Sequence, residues 1–322
     1  SATVLAAALA GTVTDGSGNP LSGAMTLTGN PNATQLQTIN NATTGNVIIP
    51  NAGITLSGTP AVLVEALTGS VATSGSAKIS GTVTISGEIG NPDAAQLKTI
   101  NDAIDGAIDV PSKLVALSST ADVLAAALAG TVREVTTGNK IAGNVTITDT
   151  PTEVELQTIN NGTTASIQIP AANQAFTASA SVLAEALTGT VTGPLAAALS
   201  GTVTVNNGAG TDVAATLLST IAAGTGGTVT VSAAVNITGD TSEVIAALDT
   251  AGVLASTANI VLSDTPTVGN LQTLNGKTSG SIKISNGAIT YSGSATVLAA
   301  ALDGTVTDGS GNPLSGAMTL TG

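Results

Sequence analysis

The chain has 322 residues, with seven basic and twenty acidic side chains for a formal net charge of −13, and it contains no His and no Cys. That balance argues against nucleic acid or an anionic membrane as partner. It rules out a disulfide framework and Cys-based metal sites, and it leaves no histidine for acid–base or triad chemistry. Aromatic residues make up 1% of the chain, only Phe176 and Tyr291, against 42% hydrophobic residues. An interior built from Ala, Val, Ile and Leu can fill a narrow space but not a wide one. No apolar run reaches the length of a membrane-spanning helix.

The chain opens with SATVLAAALAGTVTDGSGNPLSGAMTLTG at 1–29, and the same text returns at 294–322 with a single change, Ala10 against Asp303. Residue 294 restarts residue 1, so the long period is 293 residues. Such a match reads as a section of a longer repetitive chain. Inside it lies a shorter period of roughly 29 residues. Strand-like runs end near 29, 58, 87, 119, 149, 179, 207, 239, 264, 293 and 322, which divides the whole chain, 1–322, into one continuous series of coils.

Each coil begins with an Ala/Leu-rich run expected to form a helix of about two turns. A short strand follows, then a turn rich in Gly, Asn, Pro and Ser, then a second strand with period-two alternation such as Val145 and Ile147. Pro60, Pro92, Pro151 and Pro266 stand where a first helical position is expected. Thr152 and Glu155 have capping-box spacing. Two coil types alternate. One ends its helix directly in Gly, at Gly11, Gly69, Gly130 and Gly189. The other carries Asn at the same point, at Asn40, Asn101, Asn160 and Asn275. The true repeat is therefore a pair of coils. The fold expected is mainly β with short helices: a parallel β-solenoid of about 29 residues per coil, with two short strands and one short helix in each. The run Gly193-Pro194-Leu195-Ala196-Ala197-Ala198-Leu199 reads as a second helix-like insertion, and 208–264 departs from the consensus.

Gly and Asn tolerate the left-handed conformation that ends a helix, so Gly11, Gly69, Gly130, Gly189 and the four asparagines read as caps. An asparagine ladder bonding the backbone between coils is the competing reading for Asn40, Asn101, Asn160 and Asn275. Asp15 with Asn19, and their copies Asp308 and Asn312, sit in segments that resemble part of a calcium loop. The remaining ligands of such a loop are missing, and a plain turn is the preferred reading. Calcium is the only ion these segments suggest, and no organic cofactor and no catalytic residue is indicated. Thr-x-Thr pairs, such as Thr82 with Thr84 and Thr146 with Thr148, raise an ice-binding array as an alternative to ordinary outward threonines.

The phrases LQTIN (36–40 and 156–160), LKTIN (97–101) and VLAAAL (4–9, 123–128 and 297–302) resemble repeats of giant cell-surface proteins of marine cyanobacteria. That resemblance implies a secreted, acidic, fibre-like or adhesin-like protein and supplies no catalytic residue. The function expected is structural: an extracellular shaft, filament or sheath on a microbial surface that associates with itself end to end, with lateral bundling left open, and possesses no membrane span and no small-molecule substrate. An adhesive or ice-binding module is the first alternative and a carbohydrate-active β-helix the second.

Overall fold

The computed structural model describes residues 1–322 except 70, 75–76, 87–91, 112–115, 251 and 322. The expected repeat ends near 87 and at 322 therefore lie outside the described residues. The chain forms two compact units, Ser1–Pro170 and Ala171–Gly322. The first contains helices α1 (Ala2–Ala8), α2 (Ala33–Asn41), α3 (Pro60–Leu67), α4 (Ala94–Ala103), α5 (Ala121–Leu128) and α6 (Glu153–Gly162). The second contains α7 (Ala180–Leu187), α8 (Ala215–Ala223), α9 (Thr241–Asp249), α10 (Val268–Asn275) and α11 (Ala295–Ala301).

These short helices start where the side chains dictate. Asn32 and Gln35, Asp93 and Gln96, Thr152 and Glu155, and Asp240 and Glu243 each close a reciprocal capping box, which satisfies two of the free amides of the first turn. Spacing of three or four then buries one stripe, as with Ala94, Leu97 and Ile100 in α4 or Ala121, Leu124 and Leu128 in α5. Of the four prolines expected at a first helical position, only Pro60 holds it. Pro92, Pro151 and Pro266 sit one residue before the caps Asp93, Thr152 and Thr267 and are buried, as Pro31 is ahead of Asn32. The cap residue that follows each of them is extended, so the proline packs under the helix start rather than joining it.

The mainly-β parallel β-solenoid expected from the sequence is corrected. The fold is α/β, with eleven α-helices among the described residues alternating with short parallel strands, the pattern of the class that includes doubly wound and barrel folds. The helices run for seven to ten residues and the strands for two to four, so the helices hold more of the chain. The sheets are also local. Strands 56–58, 83–85, 108–110 and 132–134 form one parallel sheet, and 176–178, 203–205, 229–231 and 253–254 form another. In each, the second strands of two consecutive repeats are followed by the first strands of the next two. Each of these two sheets thus joins two pairs of repeats, whereas a third, of 212–214, 236–239, 259–262, 282–284 and 306–308, has five strands. Inward columns such as Leu56–Val83–Ile108–Val132 and Phe176–Val203–Val229–Val253 are aliphatic or aromatic and buried.

Two irregular stretches resolve differently. Residues 194–196 form a single 3-10 turn, not a second helix. Leu195 and Ala196 adopt φ of 56° and 58°, Leu195 is 98% exposed, and the Gly193 amide donates to the Ala197 carbonyl at 2.8 Å. With no stripe to bury, the run closes as a small loop. Residues 208–264, irregular in sequence, keep parallel register through Val213–Ile237–Ile260.

A column of glycines governs how closely the repeats stack. A Cβ on Gly45, Gly81, Gly106, Gly201, Gly227, Gly280 or Gly316 would overlap the carbonyl of Gly23, Ile54, Gly81, Gln174, Gly201, Ala258 or Ile289 respectively. None of these seven has positive φ, so space alone selects glycine. Gly106→Ala should therefore lower stability by about 1–3 kcal/mol through forced backbone displacement, while Gly11→Ala, with nothing within 4 Å of the added methyl, should leave it nearly unchanged. Urea unfolding midpoints of the two variants check the contrast.

Candidate functional site

The side chains of Asn40, Asn101 and Asn275 reach beyond their own helices. Asn40 and Asn101 lie within the last turns of α2 and α4, and Asn275 is the last residue of α10. Each sends its amide across to the C-terminal carbonyls of the following helix. Asn40 Nδ2 donates to the carbonyls of Glu65 at 2.8 Å and Thr68 at 2.5 Å in and after α3. Asn101 Nδ2 donates to Ala126 O at 2.8 Å in α5, and Asn275 Nδ2 to Ala301 O at 2.6 Å in α11. Asn160 holds the same position in α6. Helix C-termini leave carbonyls without intrahelical donors, and here the preceding repeat supplies the donor. For Asn40, Asn101 and Asn275 the preferred cap reading gives way to the competing one, an asparagine bonding the backbone of the next coil, here as a clamp between the two members of a pair.

The four glycines serve this clamp unequally. Gly69 and Gly189, just past α3 and α7, are left-handed with φ of 92° and 83°. Gly130 is not left-handed, but a Cβ there would stand 2.5 Å from Asn101 Oδ1, so it makes room for the clamp. Gly11 has neither constraint.

Buried threonines form a second set of links that the consensus did not single out. Thr43 Oγ1 donates to Leu21 O at 2.8 Å and accepts from Gly45 N at 2.9 Å. Thr163 repeats this with Ile141 O at 2.8 Å and Ala165 N at 3.0 Å, and Thr278 with Ala258 O at 2.5 Å and Gly280 N at 3.0 Å. The signal was available: Thr stands three residues after Asn40, Asn160 and Asn275, followed two residues later by Gly or Ala. Buried hydroxyls need both donor and acceptor roles filled, and one threonine fills them across two repeats.

The acidic turns are self-contained. Asp15 Oδ1 accepts from the amides of Ser17 at 2.8 Å and Asn19 at 2.9 Å. Asp308 does the same with Ser310 at 2.9 Å and Asn312 at 2.7 Å. Asn19 and Asn312 turn their amide nitrogens, not their carbonyls, toward the carboxylate. Such an arrangement completes a turn and offers a cation little. Among the described residues no group of three or more His, Cys, Asp or Glu is placed to hold a metal ion.

Beside the clamps lie shallow depressions. One of about 430 Å³ is lined by Lys78, Asn101, Asp102, Asp105 and Gly130, and one of about 300 Å³ by Asn40, Asn41, Glu65, Thr68 and Gly69. In the second, Glu65 already accepts from Gln37 at 2.7 Å and Asn41 at 2.9 Å, and these amides, Asn41 foremost, hold its carboxyl below the usual range. Outward strand positions are mixed. One column reads Ser57–Thr84–Asp109–Arg133, with Arg133 Nε 2.7 Å from Asp109 Oδ1. Another reads Ser118–Thr146–Gln168. A third, Thr177–Thr204–Thr230, breaks at Leu254.

No protein-family model matches the chain, and no curated protein is found similar to it. The adhesin-like, extracellular β-solenoid character suggested by the repeat phrases therefore finds no support, and its fold component is overturned by the α/β architecture above. No helix among the described residues is long and apolar enough to cross a membrane.

Two outcomes follow from the clamp and the turns. Asn101→Ala should cost about 1 kcal/mol by leaving the Ala126 carbonyl without its donor, and Asn101→Asp more, because it faces that carbonyl with another acceptor. Chemical unfolding of both variants checks the order. The Asp15 and Asp308 carboxyls are held below their ordinary 3.8, chiefly by the backbone amides of Asn19 and Asn312. Because the folded-state value is the depressed one, the stabilising contribution is full above 3.8 and is lost as pH falls through the lower folded value. Carboxyl carbon NMR titration should place both midpoints below 3.8, and a midpoint at or above it would contradict the turn geometry.

Proposed function

We propose that this chain is a structural repeat protein without a catalytic role, whose copies associate with one another end to end. The observation that carries this reading is where the recurrent polar side chains are spent. Asn40, Asn101 and Asn275, with Thr43, Thr163 and Thr278, bond to the main chain of a neighbouring repeat instead of converging on a cleft. Their recurrence serves the continuation of the stack.

The surface supports the same reading. Ice recognition requires a flat array of like groups, and the outward columns pass from Thr to Asp and Arg or to Leu within four strands. Acid–base work on a polysaccharide requires clustered acids and bases, and the seven basic residues are spread along the chain. A charge of −13 keeps laterally adjacent copies apart and leaves association through the ends favoured over bundling.

Sedimentation velocity and electron microscopy of the purified chain over a range of concentrations test this. Linear species that lengthen with concentration are expected. A particle that stays monomeric throughout would overturn the proposal.

A further inference from the structure

We infer that Asn207 is a site of self-modification: the Gly208 amide displaces its side-chain nitrogen as ammonia, and the carboxylate that results takes over the bond Asn207 makes to the helix of the preceding repeat. The inference is independent of how copies of the chain associate.

Asn207 stands two residues past strand 203–205, at the end of its repeat. Its Oδ1 accepts from the Ala180 amide, the first of α7, at 2.7 Å. Asp149 and Asp264 stand at the equivalent place, two residues past strands 145–147 and 259–262. Their Oδ1 atoms accept from the first amides of α5 and α9, Ala121 N at 2.7 Å and Thr241 N at 2.8 Å. The link is needed in α5 and α7, because Thr120 and Ser179, the residues that precede these helices, make no side-chain cap bond. First-turn amides carry partial positive charge and have no partner within the helix, and a carboxylate binds such a donor more strongly than an amide oxygen does. Three repeats thus build one link. Two carry the acid it favours, and the third carries an asparagine followed by glycine.

Asn-Gly occurs at 161–162, 207–208, 275–276 and 286–287. Helical bonds hold two of these. Gly162 is the last residue of α6, and the Gly276 amide donates to Gln272 O at 3.1 Å while Asn275 Nδ2 is held by Ala301 O. Asn286 Oδ1 accepts from Ala288 N at 3.0 Å and completes its own turn, as Asn51 does with Gly53 N at 2.9 Å, so a carboxylate there would gain no bond to another repeat. At 207–208 the asparagine is half-buried and the glycine exposed. Neither Asn207 Nδ2 nor the Gly208 amide has a hydrogen-bond partner among the described residues. The Gly208 nitrogen gives up its proton and attacks Cγ of Asn207. The Cγ–Nδ2 bond breaks, ammonia leaves with that proton, and a cyclic imide closes. Water then adds at Cγ, and the bond from Cγ to the Gly208 nitrogen breaks. That step restores the main chain, returns a proton to the Gly208 nitrogen and leaves a carboxyl on residue 207, ionised at neutral pH. The Ala180 amide donates to Oδ1, so it polarises the same carbon in both steps.

The test holds the full, folded chain at mildly alkaline pH and follows each Asn-Gly pair by peptide mass mapping. Asn207 should lose its amide and give mainly aspartate, while Asn161 and Asn275 keep theirs. A Cβ on Gly208 would meet only Thr211 Cγ2 at 3.8 Å, and this glycine is not left-handed, so Gly208→Ala should fold normally. It should slow the loss about tenfold, because a Cβ restricts the conformations open to the attacking amide. Asn207→Asp should raise the urea midpoint, and Asn286→Asp should leave it unchanged. Ala180→Pro removes the donor at a first helical position, where Pro60 stands in α3 and proline is accepted. In that background the gain from Asn207→Asp should vanish. An amide that persists at Asn207 when folded but is lost in urea overturns the proposal. So does loss at the parent rate in Gly208→Ala, a product that is mainly isoaspartate, or an Asn207→Asp midpoint no higher than the parent's.

Discussion

The close approach of backbone to backbone at the glycine column fixes the spacing on which everything else depends. Seven strands begin two residues after a glycine whose Cβ would overlap a carbonyl of the neighbouring repeat, as at Gly81 over Ile54 and Gly106 over Gly81. With that spacing set, strand pairing in register follows, and Val83, Ile108 and Val132 fall into one inward column. Small aliphatic residues suffice for such an interior, because the facing surfaces are never far apart. The near-absence of aromatic residues is then a consequence of geometry: Phe176 and Tyr291 occupy the column position that leucine holds at Leu56 and Leu117.

Strand spacing alone would crowd the helices, since neighbouring strands lie about 4.8 Å apart and packed helices about 8–10 Å. The molecule responds by working in pairs of repeats. Within a pair, one helix carries the asparagine and the next receives it, as α4 does with α5 through Asn101 and Ala126. Between pairs, the second strands of one pair share a sheet with the first strands of the next. Clamp and sheet thus alternate as the connecting element, and each pair is tied to its neighbours by hydrogen bonds of a different kind from those that tie its own members together.

The sequence displays this plan unevenly. Repeat length, the pairing of unlike repeats and the 293-residue period are visible in the text because they are matters of recurrence. The capping box at Thr152 and Glu155 was visible because its chemistry is local. Helix and strand content is less legible, because a β-branched run such as VTI marks a strand without fixing its length, and the strands formed are only three residues long. Asn101 could not be assigned from its own surroundings, since an asparagine near a helix end suits a cap and the carbonyl it serves lies 25 residues away. Pro92 and Pro151 misled for a similar reason: proline is favourable both at a first helical position and just before a cap, and only the cap residue Asp93 or Thr152 decides between them.

The stretch that departs most from the consensus shows which constraints are binding. α8 carries Ala222 where the other helices of its type carry asparagine, so the side-chain clamp seen at Asn101 has no counterpart there. Hydrogen bonding between repeats is found in the sheet instead. Asn236 Nδ2 donates to Asp212 Oδ1 at 3.0 Å, Asn259 Nδ2 to Asn236 Oδ1 at 3.2 Å, and the Ser281 amide to Asn259 Oδ1 at 3.0 Å. These side chains come from register-matched strand positions at Asp212, Asn236 and Asn259. Gly227 and Gly280 remain in their column, and Val213, Ile237 and Ile260 remain inward. Through this stretch the glycine spacing and the aliphatic column persist, whereas the polar link between repeats moves from the helix layer to the sheet, so a repeat can lose its consensus without losing its place.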